Sequence, residues 1–78
     1  MVEKDLVEFI AKALVDNSEQ VQINVIESEK STILELSVAE QDIGKIIGKH
    51  GRIAKAIRTI LSAVSNKSNK RVLLDIID

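Results

Sequence analysis

Ile43-Gly44-Lys45-Ile46-Ile47-Gly48-Lys49-His50-Gly51-Arg52-Ile53-Ala54-Lys55-Ala56-Ile57-Arg58 is the stretch on which the fold turns. It contains all three glycines of the chain and its only histidine. Ile43, Ile46 and Ile47 precede the pair Gly48/Gly51 with helical spacing, and Ile53, Ile57, Ile60, Leu61 and Val64 follow it in the same way. Two glycines three apart between two helical patterns predict a tight helix–turn–helix. Glycine admits positive φ there and, lacking a Cβ, lets another backbone approach. Lys49 and His50 stand between the glycines and Arg52 follows directly. A cationic tip beside bare backbone suits a phosphodiester chain.

Outward from this stretch, the periodicity changes character. Upstream, Gln20 to Glu27 alternates through Val21, Ile23 and Val25, and Thr32 to Val38 alternates through Leu34, Leu36 and Val38. Joined by the polar Ser28-Glu29-Lys30-Ser31, these two runs predict a hairpin. Before them, residues 2–16 place Val2, Leu6, Phe9, Ile10, Ala13 and Leu14 on one helical face, with Glu3, Asp5 and Glu8 complementing the dipole. Phe9, the only aromatic, is expected in the core. Ala39 to Ile47 is expected as a short helix, with Gly44 inside it at a cost of roughly 1 kcal/mol against alanine. That cost has two candidate reasons: a nucleotide approaching closely, or tight helix packing. A longer helix is expected from about Arg52 to Ser65, then a polar loop at Asn66-Lys67-Ser68-Asn69. Lys70 to Ile77 is expected as a last strand, with Val72, Leu74 and Ile76 on one face. The order is α-β-β-α-α-β.

Seventy-eight residues allow one domain, 1–78, with a thin core. Without cysteine there is no disulfide framework or thiolate metal site, and one histidine does not build a zinc site. No metal and no cofactor is expected. Met1-Val2-Glu3-Lys4-Asp5 lacks the pattern of a signal peptide, and no run approaches the roughly 18 apolar residues of a membrane span. A cytoplasmic protein is expected. The formal net charge of −1 hides an asymmetry: residues 1–42 carry three basic against ten acidic groups, and residues 43–78 eight against two. Between Asp42 and Asp75 there is no acid. This implies a phosphate-facing field on an otherwise acidic protein.

Ile46-Ile47-Gly48-Lys49-His50-Gly51-Arg52 resembles the signature of KH domains, two branched aliphatics and G-x-x-G, whose loop clamps about four backbone nucleotides of single-stranded RNA. Continued through Ala54-Lys55-Ala56-Ile57-Arg58-Thr59, and over nearly the whole chain, it is similar to the small single-KH bacterial RNA-binding proteins of the KhpA type. One departure is Ala54, where many KH domains carry a large aliphatic; Ile53 is the candidate replacement. The resemblance implies an α+β type II KH fold: a three-stranded mixed sheet with helices on one face, the second strand central, antiparallel to the first and parallel to the last. It implies a groove for single-stranded RNA between the GxxG helix pair and the sheet edge. The expected RNA-binding residues are Ile43, Gly44, Lys45, Ile46, Ile47, Gly48, Lys49, His50, Gly51, Arg52 and Lys55. Among them Lys49 and Arg52 meet phosphates with Lys45 and Lys55 flanking, and Ile43, Ile46 and Ile47 form an aliphatic floor. Ile47 is expected nearer the core and Ile46 nearer the groove.

The function expected is non-catalytic. His50 has no nucleophile or ligand set beside it in sequence, P-loop and dinucleotide motifs are absent, and no aromatic platform of RRM or OB type is present. The resemblance implies an RNA chaperone and post-transcriptional regulator bearing on cell shape, alone or paired with a larger KH protein. A ribosome-associated assembly factor and a protein-binding KH scaffold are the alternatives. The second long helix carries an apolar arc of roughly 180°, wider than the little over 100° that a small sheet covers. Its excess edge, Ala56, Ile60 and Ala63, is expected to be a dimer interface.

Overall fold

The computed structural model describes residues 2–65 and 70–77. Helix α1 spans Val2–Leu14, strands β1 and β2 span Gln22–Glu27 and Ser31–Ser37, and helix α2 spans Ile43–Ile47. Helix α3 spans Arg52–Ser65 and strand β3 Arg71–Ile76. Short 3-10 turns at Ser18–Gln20, Glu40–Asp42 and Lys49–Gly51 lead into β1, α2 and α3. The sheet order is β1-β2-β3, with β2 antiparallel to β1 and parallel to β3. This is the α+β, type II KH arrangement that the resemblance implied. Gln20 belongs to the first 3-10 turn, not to the strand, and α1 ends two residues earlier than its periodicity predicts. The expected loop at 66–69 lies outside the described residues.

The strand alternation places the core. In register, Val25, Leu34 and Leu74 form one row across the sheet, and Ile23, Leu36 and Ile76 the next. Leu34 and Leu36 on the central strand have no exposed surface. Against these rows pack Val7 and Ala11 of α1, Ile46 of α2, and Ile57 and Leu61 of α3. Each buried Val, Leu or Ile among them contributes about 1.5–3 kcal/mol through burial.

Two expectations about which side faces inward are overturned. Phe9 is 73% exposed, and the face of α1 that packs on the core runs through Val7 and Ala11 towards Val15. The helix has two apolar stripes, and the core uses the one with the smaller side chains. Ile46 is wholly buried, whereas Ile47 is half-buried. The core role expected of Ile47 therefore belongs to Ile46, and Ile46 is withdrawn from the floor of any groove.

What sets the rotation of α2 is Asp42, a carboxylate with no exposed surface at the head of the helix. Its Oδ2 accepts from the Asn17 backbone N–H at 2.9 Å and from Asn17 Nδ2 at 3.0 Å, and Lys45 donates to Oδ1 at 3.4 Å. Lys45 also donates to Asp16. The segment after α1 is thereby fastened to α2. Burial pushes the Asp42 carboxyl up, but the bonds from Asn17, the Asp16 N–H and Lys45 outweigh it and hold it below the ordinary carboxylate value. A carboxyl depressed in the folded state stabilises the fold above its unfolded pKa, and that contribution disappears as pH falls through the folded value. Asp42→Asn is therefore expected to be less stable than the parent in urea unfolding at pH 7, with the gap closing in acid below about pH 3.9. Equal stabilities at pH 7 would remove Asp42 from this role.

Candidate nucleic-acid interface

The loop between α2 and α3 is built from three departures from ordinary backbone within four residues. Gly48 has φ 77° and ψ 172°, His50 φ 59° and ψ 24°, and Gly51 φ 73°. Among the described residues His50 is the only non-glycine with positive φ. Histidine is one of the residues enriched in that region, but the conformation still costs of order 1 kcal/mol or more. Gly48 is required twice over. Its φ disfavours a side chain, and an added Cβ would stand 2.6 Å from Ile53 Cγ1. Ile53 thus packs beneath the turn, and Ala54 beside it is buried.

The turn uses some of its own backbone. The Gly48 N–H donates to Gly44 O at 2.8 Å, closing α2, and the Gly51 N–H donates to Gly48 O at 3.1 Å. The Arg52 N–H donates to Lys49 O. Among the described residues no acceptor takes the N–H of Lys49 or His50. Both side chains are exposed at the tip. Immediately behind them begins α3, fourteen residues long, whose first-turn N–H groups and dipole favour an anion.

The cations divide into two sets. Lys45 is turned towards Asp16 and Asp42; the bond to Asp16 raises its pKa, partial burial opposes the rise, and Asp42 adds to it. Its charge is already engaged by the protein's own carboxylates, unlike the charges at the loop. Lys49, Arg52 and Lys55 are exposed and have no ion pair among the described residues. At 100° per residue, Arg52, Lys55, Arg58 and Ser62 share an arc of about 120° on α3. That arc leads from the loop into a cleft of about 290 Å³ between α3 and the edge strand β3. Arg58, Ser62 and Ser65 line it from the helix, and Arg71 to Leu74 from the strand. Arg58 Nε and Nη2 donate to Leu74 O at 3.4 and 3.3 Å, capping the open edge of the sheet.

The expected site residues thus separate. Gly48, Lys49, His50, Gly51, Arg52 and Lys55 come together at the loop and the start of α3. Ile43 lies instead in a second hollow of about 570 Å³ with Ser37, Val38, Glu40 and Ile77. Ile46 is in the core, and Ile47 is half-buried. Gly44 is exposed, and a Cβ there would meet nothing within 4 Å. Close helix packing is therefore not the reason for that glycine. Arg58, Ser62 and Arg71, which line the cleft, were not among the expected residues. The spacing 52/55/58/62 on one helix was available as a signal; Arg71 joins them only through the packing of β3.

A family model described as KhpA/KhpB, KH domain matches residues 4–76. The chain is 60% identical over 76 residues to the RNA-binding protein KhpA of Borreliella burgdorferi, covering 97% of this chain and 93% of that one. It is 57% identical over 74 residues to the RNA-binding protein KhpA of Clostridium perfringens, covering 95% and 99%. With the RNA-binding protein KhpA of Aquifex aeolicus it shares 52% over 75 residues, covering 96% and 95%. A fold of type II KH form, a G-x-x-G turn held by two positive-φ glycines, and likeness along almost the full length agree: the chain belongs to the KhpA/KhpB KH-domain family.

Proposed function

We propose that this protein is a non-catalytic, cytoplasmic single-stranded RNA-binding module that grips the RNA backbone at Gly48-Lys49-His50-Gly51. The observation that carries the reading is the loop itself. Positive-φ glycines flank a left-handed His50, and the turn holds two exposed side chains and two unclaimed N–H groups beside a helix N-terminus. Phosphates meet Lys49, Arg52 and the loop backbone, and Lys55 extends the field. The strand then passes along α3 into the α3/β3 cleft, where bases lie over Leu73 and Val72 with Arg58, Ser62 and Arg71 at the walls. Gly44 leaves room beside the track. The curated relatives are named RNA-binding proteins, which supports the ligand class. Among the described residues no helix is long and apolar enough to cross a membrane. Within the cell the role is that of an RNA chaperone and post-transcriptional regulator.

The working form is a dimer through α3, either with a second copy or with a larger KH protein. Ala56 and Ala63 are exposed and Ile60 is 43% exposed, so α1 does not cover the apolar edge of α3. Small residues on either side of Ile60 admit a close helix approach.

Lys49→Asp combined with His50→Asp is expected to abolish crosslinking to single-stranded RNA while leaving the circular dichroism of the fold unchanged. Undiminished crosslinking by the folded double variant would refute the site. Three to five cationic groups at the interface imply a slope of log affinity against log salt of roughly −2 to −3.5. A flat salt dependence would shift the binding energy to the apolar wall. Recovery of messenger and small RNAs with the protein supports the regulator; ribosomal RNA alone points to ribosome assembly, and no RNA to a protein scaffold. Ile60→Glu is expected to give a folded monomer by light scattering at micromolar concentration, and a monomeric parent there would end the α3 dimer.

A further inference from the structure

Helix α1 is apolar on two opposite sides. Val7 and Ala11, with Val15 just beyond the last turn, are buried against the domain. Val2, Leu6, Phe9 and Ala13 fall within about 60° of one another on the far side. Val2 is 69% and Phe9 73% exposed, Ala13 is exposed and Leu6 half-buried. Neither the core nor the loop uses the only aromatic of the chain. Spacings of four, three and four residues are those of a two-heptad coiled-coil seam. Along one flank of this seam, seven residues apart, stand Asp5 and Lys12.

The stripe is self-complementary only in one direction. If two copies of α1 run antiparallel, Leu6 of each lies opposite Phe9 of the other, and Val2 opposite Ala13. The two-fold axis then repeats both contacts. The same arrangement sets Asp5 of each copy beside Lys12 of the other, twice along the flank. Parallel pairing would place Asp5 against Ile10 and align the two helix dipoles unfavourably. Asp5 has no ion pair among the described residues, and Lys12, 47% exposed, holds Glu8 of its own helix at 3.0 Å and has donors to spare. Two-heptad helices alone are ordinarily too short to pair, because forming the helix costs too much. Here the domain already holds the helix in place.

We infer that α1 is a second self-association surface, on which two copies of this chain pair antiparallel through Val2, Leu6, Phe9 and Ala13, with Asp5 and Lys12 setting the direction. The test is sedimentation velocity of the full chain carrying Ile60→Glu, which takes α3 pairing out of the measurement, from about 10 μM to 1 mM. Concentration-dependent association is expected, and adding Phe9→Glu is expected to weaken it at least tenfold, loosening no core contact because Phe9 lies in water. Asp5→Lys or Lys12→Asp singly is expected to raise Kd about tenfold, turning two exposed attractions into repulsions. The two together are expected to restore it to within about twofold, which only the antiparallel register allows. No association up to 1 mM, or association indifferent to Phe9→Glu, would overturn the surface and leave the stripe to a helix of another protein. A double reversal weaker than either single one would overturn the antiparallel pairing.

Discussion

Ile53 occupies the space in which a side chain on Gly48 would stand, and the geometry of the turn between α2 and α3 follows from that exclusion. The contact lets the chain reverse between α2 and α3 with Ile53 tucked under the turn, so α3 starts at a fixed angle. Fixing α3 buries Ala54, Ile57 and Leu61 and, on the same helix, turns Arg52, Lys55 and Arg58 away from the core. Gly51 is different in kind: its φ is positive, but space around it is open. One glycine is held by sterics and conformation together, the other by conformation alone.

Charge is distributed by the same logic of fixed and free. Lys45 belongs by sequence to the basic half, yet Asp16 and Asp42 from the acidic half claim it. It serves as a clasp holding α2 to the end of α1. Lys49, Arg52 and Lys55, exposed and without ion pairs among the described residues, stand on the turn and the first turn of α3, where their charges are held in place by the fold.

How far the chain could be understood beforehand depended on whether the information was local. The bounds of α3 were legible because two glycines and a 3.6-residue period define them within a few positions. The inward faces of β1, β2 and β3 were legible because alternation is unambiguous once one face is buried. The face of α1 was not, since residues 2/6/9/13 and 7/11/15 are both apolar and the larger side chains drew the wrong choice. Ile46 and Ile47 differ by one step of helical rotation, and the Asn17–Asp42 hydrogen bonds, between residues 25 apart in sequence, fasten the helix with Ile46 turned inward. The fate of Lys45 hangs on the same long-range contact. The cleft was illegible for a similar reason: Arg58 and Arg71 meet only after β3 has docked.

The parallel pairing of β2 with β3 has a consequence for how the protein comes into being. β1 and β2 meet through a short turn, with Glu27 opposite Thr32, so they can pair early. Ser31 pairs with Arg71 across both helices and the loop between them, a long closure that topology makes slow. Synthesis runs from the N-terminus at about 5–20 residues per second, so a nascent chain displays the glycine turn and the cationic helix before the last strand has emerged. At that stage Leu34 has only one of its two strand neighbours, Arg58 has no Leu74 carbonyl to cap, and one wall of the cleft does not exist. The cleft is therefore completed only when β3 docks.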